Sequence, residues 1–404
     1  MLRPTLIFLM LCGLLASTAH GAPESREPAS REPDSREKGT HGSEAQLVKS
    51  LQAINDNRLD IALNEVNSLL LTNPNFKLAQ LVKGDLLMAR AGAIDNFGSA
   101  AKAPRGKIED LRDEARARLQ RVQSQSDTQR KPRFLWKLDA RQRYALVVDA
   151  SRATLFVYEN VDGEPRYVTD FYVTLGKLGT EKAAKGDQRT PIGVYFVQTA
   201  LPKNQLDDFY GSGAYPLSYP NEFDRKNGRT GSGIWLHGTP SNTYSRPPRA
   251  SNGCLVLAND DLKKLAPYLQ AGITPVIITN RMDWSTGQDS GDRKSLLQEI
   301  EQWRQDWSSL DTGAYLKHYD PNFSNDAMDY PKWAQQKQLV NSLKTWIKVG
   351  ISNISVFSYP EQPNMAVVDF EQDYTSNNLS NRMKKRQYWI KQNDNWKIIY
   401  EGAS

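Results

Sequence analysis

Apolar positions divide the chain into three segments with different periodicities. In residues 44–125, leucines and valines recur at helical spacing, which predicts amphipathic helices. In residues 140–282, β-branched and aromatic runs such as Tyr144–Asp149 are bounded by turn residues, which predicts strands. In residues 293–404, helical patterns are followed by four strand-like runs. The pattern predicts a multidomain α+β protein with a helical start, a β-rich centre and an α+β end.

The helical segment has features of a short helical repeat. Residues 58–63 and 73–76, together with Ala79 and Gly84, resemble a tetratricopeptide-type helix pair. About one and a half units are visible, fewer than the three or so that a stable array needs. Two interpretations stay open: a small helical cap on an enzyme domain, or a surface that binds a protein partner.

The sequence of the first 43 residues predicts an export signal followed by a disordered linker. Residues 1–22 combine Arg3 with an apolar run, Leu6–Leu15, which is typical of a secretory signal peptide and too short to span a bilayer. Residues 23–43 repeat Ser-Arg-Glu and contain few residues that could be buried, which predicts a disordered linker. We therefore expect an exported, periplasmic protein, with an uncleaved membrane anchor as the alternative.

The last segment, residues 293–404, resembles a SnoaL-like (nuclear-transport-factor-like) α+β cone. Such cones hold a pocket between sheet and helices. Trp303, Tyr319, Trp333 and Trp389 either line that pocket or form core. Because no paired acid and base stands out, we interpret this domain as binding an unknown small ligand or forming a dimer contact, not as a second enzyme.

The net charge limits the classes of molecule that this protein is expected to bind. The 404-residue chain carries a formal charge of +6, which suits an anionic partner such as a bacterial cell wall with free carboxylates. No basic stripe interleaved with aromatics occurs, and no nucleic-acid-binding motif is present. We expect no nucleic-acid partner.

Cysteine usage identifies candidate chemistry. The chain has two cysteines, Cys12 in the predicted signal and Cys254, so the mature protein would hold one thiol. His237 precedes it by 17 positions. A thiolate is the nucleophile of cysteine enzymes, and a nearby imidazolium lowers the thiol pKa enough to form it. Short apolar runs beside both residues predict two strands that bring them together.

The alternatives for these residues are structural. A lone cysteine often serves as a small buried hydrophobe, and a lone histidine is usually structural too. A catalytic zinc site needs about three protein ligands. The mature chain offers neither a second cysteine nor clustered histidines, so we expect no metal and no cofactor.

The motifs around the thiol resemble a known family. His237-Gly238-Thr239, a loop, and then Ser251-Asn252-Gly253-Cys254 before an apolar run resemble the YkuD-type L,D-transpeptidases, which are cysteine enzymes of bacterial peptidoglycan. Upstream, residues 174–177 and 185–195, which contain Thr-Pro-Ile-Gly, resemble the family's second signature. The resemblance covers about residues 142 to 280 and implies a β-sandwich-like catalytic core.

The resemblance implies catalytic roles for four residues. Cys254 would be the nucleophile and His237 its base, with the Gly238 carbonyl orienting the imidazole. The N–H groups of Gly253 and Cys254 would stabilise an oxyanion, and Gly253 would also permit a tight backbone conformation.

Four residues are candidates for substrate binding. Ser251 falls on the motif serine, and Asn252 stands where many members have His or Arg. Arg246 and Arg249 precede the thiol and could contact carboxylates of the stem peptide; the alternative is a solvated basic loop. Unchanged Michaelis constants in Arg249→Ala would count against a substrate role. Many members also have Arg where this chain has Val256, which leaves the acceptor chemistry open.

The resemblance implies three candidate functions. The first is a peptidoglycan L,D-transpeptidase that forms a thioester on meso-diaminopimelate of tetrapeptide stems and releases D-Ala. The second is an L,D-carboxypeptidase that passes the same acyl-enzyme to water; the residues after Cys254 resemble a proteobacterial subgroup that includes L,D-carboxypeptidases involved in cell shape. The third is a non-catalytic wall-binding scaffold.

Overall fold

A computed structural model describes residues 42–92, 97–98, 104–123 and 129–404. The predicted signal peptide (1–22) lies outside the described residues, as does the predicted linker (23–43) apart from its last two positions. Within the described ranges, no helix has the length and apolar character needed to cross a membrane.

The predicted helical segment is confirmed as helical and packs around its own apolar core. The helices described here are α1 (Ser43–Asn55), α2 (Leu59–Thr72), α3 (Lys77–Ala91) and α4 (Arg105–Gln123). Fully buried members of the core include Leu47, Ala62, Val66, Leu69, Phe76 and Val82. These leucines and valines lie on the apolar faces that the periodicity predicts, since residues three and four apart share one face of a helix.

The β-rich centre is built on one five-stranded sheet. After β1 (Leu135–Lys137) come β2 (Tyr144–Asp149), β3 (Thr154–Val161), β4 (Glu164–Tyr172), β5 (Leu175–Gly176) and β6 (Gly193–Phe196). Together with β11 (Pro275–Thr279), four of these strands form a sheet of order β4-β3-β2-β11-β6, in which only β2 and β11 are parallel.

A second layer of short strands lies over this sheet. It contains β7 (Ala214–Pro216), β8 (Trp235–His237), β9 (Arg249–Ser251) and β10 (Leu255–Val256), with helices α5 (Glu222–Lys226) and α6 (Asn259–Leu265). Strands β10, β8 and β7 form one small sheet, and β5 pairs with β9 in another. Leu236 and Leu255 of this layer pack in the same core as Leu146 and Val148 of β2.

Both faces of β2 are buried, which explains why residues 145–148 are all apolar. Leu146 and Val148 face the layer that carries β8 and β10. Ala145 and Val147 point the other way and pack in a core with residues of the C-terminal domain, among them Phe357. A strand covered on both faces has no solvent side that would need polar residues.

The C-terminal domain has helices followed by an antiparallel sheet, as predicted. Its helices are α7 (Gly287–Ser308), α8 (Thr312–Leu316) and α9 (Tyr330–Ser342), and its strands are β12 (Ile347–Ser358), β13 (Met365–Ser376), β14 (Ser380–Gln392) and β15 (Asn395–Ala403). The sheet order is β1-β12-β13-β14-β15, so β1 extends the C-terminal sheet although it precedes the central strands in sequence.

Four aromatic residues of this domain were expected either to line a pocket or to form core, and in the structure they belong to the core. Trp303, Tyr319, Trp333 and Trp389 are at most 5% exposed and pack in one apolar cluster between α7, α9 and the sheet. The indole N–H of Trp303 donates to Tyr319 Oη at 3.2 Å. Binding of a small ligand, or dimerisation, through this domain stays a prediction.

Candidate active site

Two adjacent parallel strands bring His237 and Cys254 to one place. In the pairing of β8 with β10, Leu236 is opposite Leu255 and His237 is opposite Val256. His237 is therefore the last residue of β8, and Cys254 immediately precedes β10. The two short apolar runs in the sequence form these strands, because Leu236 and Leu255 are fully buried in the underlying core.

Hydrogen bonds that join three segments of the family signatures hold the turn before Cys254. Gly253 has φ 118°, a region that L side chains rarely adopt. The Thr190 hydroxyl donates to the Gly253 carbonyl at 3.0 Å and accepts from the Gly176 N–H at 2.9 Å. Thr190 is fully buried. The upstream signature therefore supports the turn that carries Cys254.

Ser251 closes the same turn from within. Its hydroxyl donates to the Cys254 carbonyl at 2.7 Å and accepts from the Gly253 N–H at 3.0 Å. Ser251 is 3% exposed, and these bonds shape the turn. The Gly253 N–H, one of the two predicted oxyanion donors, is thereby bonded to Ser251 in this structure. The roles of Ser251 in substrate binding and of Gly253 and Cys254 as oxyanion donors stay predictions.

The His237 imidazole is oriented by the next residue along the chain. Its Nδ1 lies 2.7 Å from the Gly238 carbonyl oxygen. Because a carbonyl only accepts, Nδ1 carries the proton and Nε2 has its lone pair free to act as a base. Gly238 has no room for a side chain, since a Cβ would collide with Asn259 Oδ1.

The surroundings of the imidazole favour its neutral form. His237 is 1% exposed, and its ring centroid lies 5.6 Å from Phe209 and 5.2 Å from Tyr210. Burial lowers the pKa of His237 to about 4; the Gly238 hydrogen bond opposes this shift and the Arg246 charge adds to it. At neutral pH the imidazole is uncharged and able to accept a proton.

The thiol is also in its neutral form. Cys254 is half-buried, and its Sγ lies 3.4 Å from the Gly233 carbonyl oxygen as a donor. Burial raises the pKa of Cys254, although the Trp235 N–H and the charges of Lys182 and Arg246 act to lower it. The expectation of a preformed thiolate beside an imidazolium is therefore wrong for this structure. The arrangement suits general-base activation, in which the thiol proton leaves as the sulfur attacks.

We expect the alkylation rate of Cys254 to keep rising with pH beyond the ordinary thiol pKa of about 8.5. A raised pKa leaves less thiolate at neutral pH, so iodoacetamide should react more slowly at pH 7 with the folded protein than with the urea-unfolded chain. The rate is measured by mass spectrometry on a chain lacking residues 1–22, whose only thiol is Cys254. A plateau reached below pH 7 would contradict this prediction.

The two arginines of the predicted substrate site are placed differently. The guanidinium carbon of Arg246 lies 5.2 Å from the centre of the Phe209 ring, and its charge acts on both the thiol and the imidazole. Arg249 is exposed on β9, and Asn252 is exposed in the turn before Cys254. Arg246 and His237 therefore share Phe209 as a neighbour, whereas Arg249 and Asn252 are exposed to solvent.

Two residues at the site have roles that the sequence motifs do not indicate. Lys182 has a side chain only 3% exposed, donates to Asp187 at 2.7 Å, and places a positive charge near Cys254. Asn259 bonds both the Ser212 N–H, at 2.7 Å, and the Thr239 carbonyl, at 2.8 Å. A lysine followed five residues later by an aspartate is not a recognisable sequence motif. That the Lys182 ammonium group is buried becomes apparent only in the folded structure.

We expect Gly253→Ala to inactivate the site without unfolding the protein. An alanine Cβ would lie 2.6 Å from the Arg189 carbonyl oxygen and would require an unfavourable φ, costing about 1–3 kcal/mol. Displacing the thiol by about 1 Å can cost about 10²-fold in rate. Gly228→Ala is the matched control, since Gly228 also has positive φ but open space around it. Wild-type turnover in Gly253→Ala would contradict a strained, fixed turn.

Comparison with known protein families matches two segments of the chain. Residues 143–278 match the family described as the YkuD L,D-transpeptidase catalytic domain, and residues 295–402 match the Cds6 C-terminal NTF2-like domain. Among curated proteins, none matches the chain.

Two solved structures resemble most of the chain. Bd1075 of Bdellovibrio bacteriovorus is 30% identical with a TM-score of 0.58, over 68% of this chain and 97% of that one. The helical cell shape determining protein Pgp2 from Campylobacter jejuni is 27% identical with a TM-score of 0.58, over 69% of this chain and 97% of that one.

The fold and the motifs define the class of protein: this chain belongs to the YkuD L,D-transpeptidase family. More particularly, it joins that catalytic domain to an NTF2-like C-terminal domain, and over this combination it is similar to Bd1075 and Pgp2.

Proposed function

We propose that this protein is an exported peptidoglycan L,D-transpeptidase with Cys254 as nucleophile and His237 as base. The observation that carries the proposal is the arrangement at the ends of β8 and β10. A half-buried thiol precedes β10, and a neutral imidazole ends the adjacent strand β8. The imidazole Nδ1 is bonded to the Gly238 carbonyl, which leaves Nε2 available to take the thiol proton.

The first half-reaction forms a thioester. Cys254 Sγ attacks the carbonyl carbon of meso-diaminopimelate in a tetrapeptide stem, and its proton passes to His237 Nε2. When the tetrahedral intermediate collapses, the bond between that carbon and the nitrogen of the terminal D-Ala breaks. His237 returns the proton to this nitrogen, and D-Ala leaves as the free amino acid.

The second half-reaction depends on the acceptor. An amine of a second stem attacks the thioester, loses a proton to His237 and restores the thiol, which gives an L,D cross-link. Water in place of the amine gives a tripeptide, and the protein would then be an L,D-carboxypeptidase. Val256, a buried residue where many members have Arg, leaves the choice of acceptor open between the two candidates.

Two basic groups fit the charge of the substrate. A tetrapeptide stem carries free carboxylates, and Arg246 lies beside the thiol with Arg249 exposed on the neighbouring strand. We assign Arg246 to the carboxylate nearer the reacting carbonyl, and Arg249 and Asn252 to outer parts of the stem.

The wider role follows from the similarity to Pgp2, which is described as determining helical cell shape. We propose that this protein acts on the periplasmic wall and contributes to cell shape. This part of the proposal requires export through residues 1–22, and a reporter fused after residue 43 that stays in the cytoplasm would contradict it.

Incubating purified tetrapeptide muropeptides with the wild-type protein, followed by mass spectrometry, tests the reaction. A cross-linked or D-amino-acid-exchanged product establishes the transpeptidase. Tripeptide with free D-Ala establishes the carboxypeptidase. No product from monomeric and cross-linked substrates alike would overturn both and favour a wall-binding scaffold.

A further inference from the structure

The loop between β8 and β9, residues 238–248, contacts the helical unit, α1–α4, at two consecutive positions. The ring of Tyr244 lies 4.3 Å from that of Phe76, at an interplanar angle of 35°. The next residue, Ser245, donates its hydroxyl to Glu114 of α4 at 2.6 Å.

The residue that follows these two contacts is Arg246, and the catalytic domain holds its backbone. The Arg246 carbonyl accepts from Tyr172 Oη at 3.0 Å and from Thr174 Oγ1 at 2.9 Å. The loop is thus fixed from both sides within three residues. Within the loop, the Thr239 hydroxyl donates to the Tyr244 carbonyl at 3.2 Å, and the Thr243 N–H donates to the Pro240 carbonyl at 2.9 Å.

A buried arginine of α4 joins the two sides. The guanidinium carbon of Arg118 lies 4.0 Å from the centre of the Tyr172 ring and 5.3 Å from that of Phe76. Arg118 also forms an ion pair with Glu114 at 2.9 Å. Since Glu114 binds Ser245 and Tyr172 binds Arg246, Arg118 contacts the partners of both loop residues.

The side chain placed by these contacts acts on the reacting groups. The Arg246 guanidinium carbon lies 5.2 Å from the centre of the Phe209 ring, which itself lies 5.6 Å from the centre of the His237 ring. From this position its positive charge acts to lower the pKa of Cys254, against the larger effect of burial, and adds to the lowering of the pKa of His237. Other bonds order the two ends of the loop: Ser241 donates to Asp208, and the Pro248 carbonyl accepts from the Leu175 N–H. The residues between these ends would otherwise sample many conformations, and their ordering carries an entropy cost. Contacts at Tyr244 and Ser245 reduce this freedom next to Arg246.

We propose that the helical unit is a positioning element of the active site: Phe76 and Glu114 hold Tyr244 and Ser245 so that Arg246 faces Cys254 and His237. Glu114 and Phe76 are positioning residues, since they act through the loop and do not touch the reacting atoms. The proposal rests on the proposed function for the identity of the reaction, but the placement of Arg246 beside the thiol is independent of the substrate.

The test measures iodoacetamide alkylation of Cys254 against pH in the chain lacking residues 1–22. Arg246→Ala sets the reference, because loss of its charge raises the thiol pKa. Ser245→Ala and Glu114→Gln are expected to move the profile in the same direction and to slow alkylation at pH 7 roughly three- to tenfold, equivalent to about half to one pKa unit. Turnover of tetrapeptide stems should fall in parallel.

Matched controls lie one residue away from each contact. Thr243→Ala removes a hydroxyl that bonds only its neighbour Asn242, and Asp113→Asn removes an exposed carboxylate paired with Arg116. Both should keep the wild-type profile. Ser245→Thr retains the hydroxyl and should therefore also show the wild-type alkylation profile. If Glu114→Gln fails to fold, the comparison of Ser245→Ala with Ser245→Thr still tests the proposal.

Wild-type profiles in Ser245→Ala and Glu114→Gln, together with a shift in Arg246→Ala, would overturn the positioning role. An unshifted Arg246→Ala would overturn it as well, because the arginine would then have no influence on the thiol. The expected alkylation pattern with no turnover of any muropeptide would instead contradict the proposed function alone.

Discussion

Replacing Cys254 with alanine is expected to lower the rate of D-Ala release from tetrapeptide stems by about 10⁴-fold or more. Without the sulfur no thioester forms, and the remaining groups can only bind and polarise the substrate. Release of D-Ala by wild type and mutant is measured by mass spectrometry under identical conditions.

The substitution should leave the fold intact. Cys254 is half-buried, and its Sγ donates to a backbone group, the Gly233 carbonyl. Circular dichroism and the thermal transition should therefore match the wild type. His237→Gln gives the companion measurement, since it removes the base and retains the thiol. A Cys254→Ala protein within about tenfold of wild-type turnover would exclude Cys254 as the nucleophile.

Replacing Arg118 with alanine is expected to destabilise the helical unit by about 3–5 kcal/mol. Arg118 is 1% exposed and pairs with Glu114 and Glu44, two carboxylates that are themselves buried. Burial raises the pKa of Glu114 even with the arginine present, so this carboxylate is already unfavourably placed. Without Arg118, both acids lose a partner in a region with little water to solvate them.

Urea unfolding followed by far-ultraviolet circular dichroism measures this loss, and Arg116→Ala is the matched control. Arg116 lies on the same helix with a 67% exposed side chain, and its pair with Asp113 is worth less than about 1 kcal/mol. Equal stability of the two variants would show that the buried network contributes nothing beyond a surface pair.

Several parts of this protein could be predicted from the sequence because their signals are local. Helical spacing in residues 44–125 places Leu63 and Val66 on a buried face, as the structure confirms. The short apolar runs beside His237 and Cys254 predict strands that β8 and β10 confirm. Side-chain periodicity reports which face of an element is buried, whatever that face packs against.

Other parts depend on contacts between segments distant in sequence. β1 has no distinguishing pattern, and it joins the C-terminal sheet only because β12 offers it an edge more than 200 residues later. Thr190 supports Gly253 across 63 residues, and Ser245 reaches Glu114 across 131. Hydrogen bonds of this kind require two positions to be specified together, which no window of sequence contains.

The sequence by itself indicated the division of the chain into three segments. It also showed the motif that carries Cys254 and His237, with glycines at positions 238 and 253. Only the tertiary structure decided the charge state of the site. An imidazole and a thiol near each other in sequence suggest an ion pair, but burial favours the neutral form of each group. Their surroundings are assembled from Phe209, Lys182 and Arg246, and the energy of a charge depends on its solvation and neighbours in space.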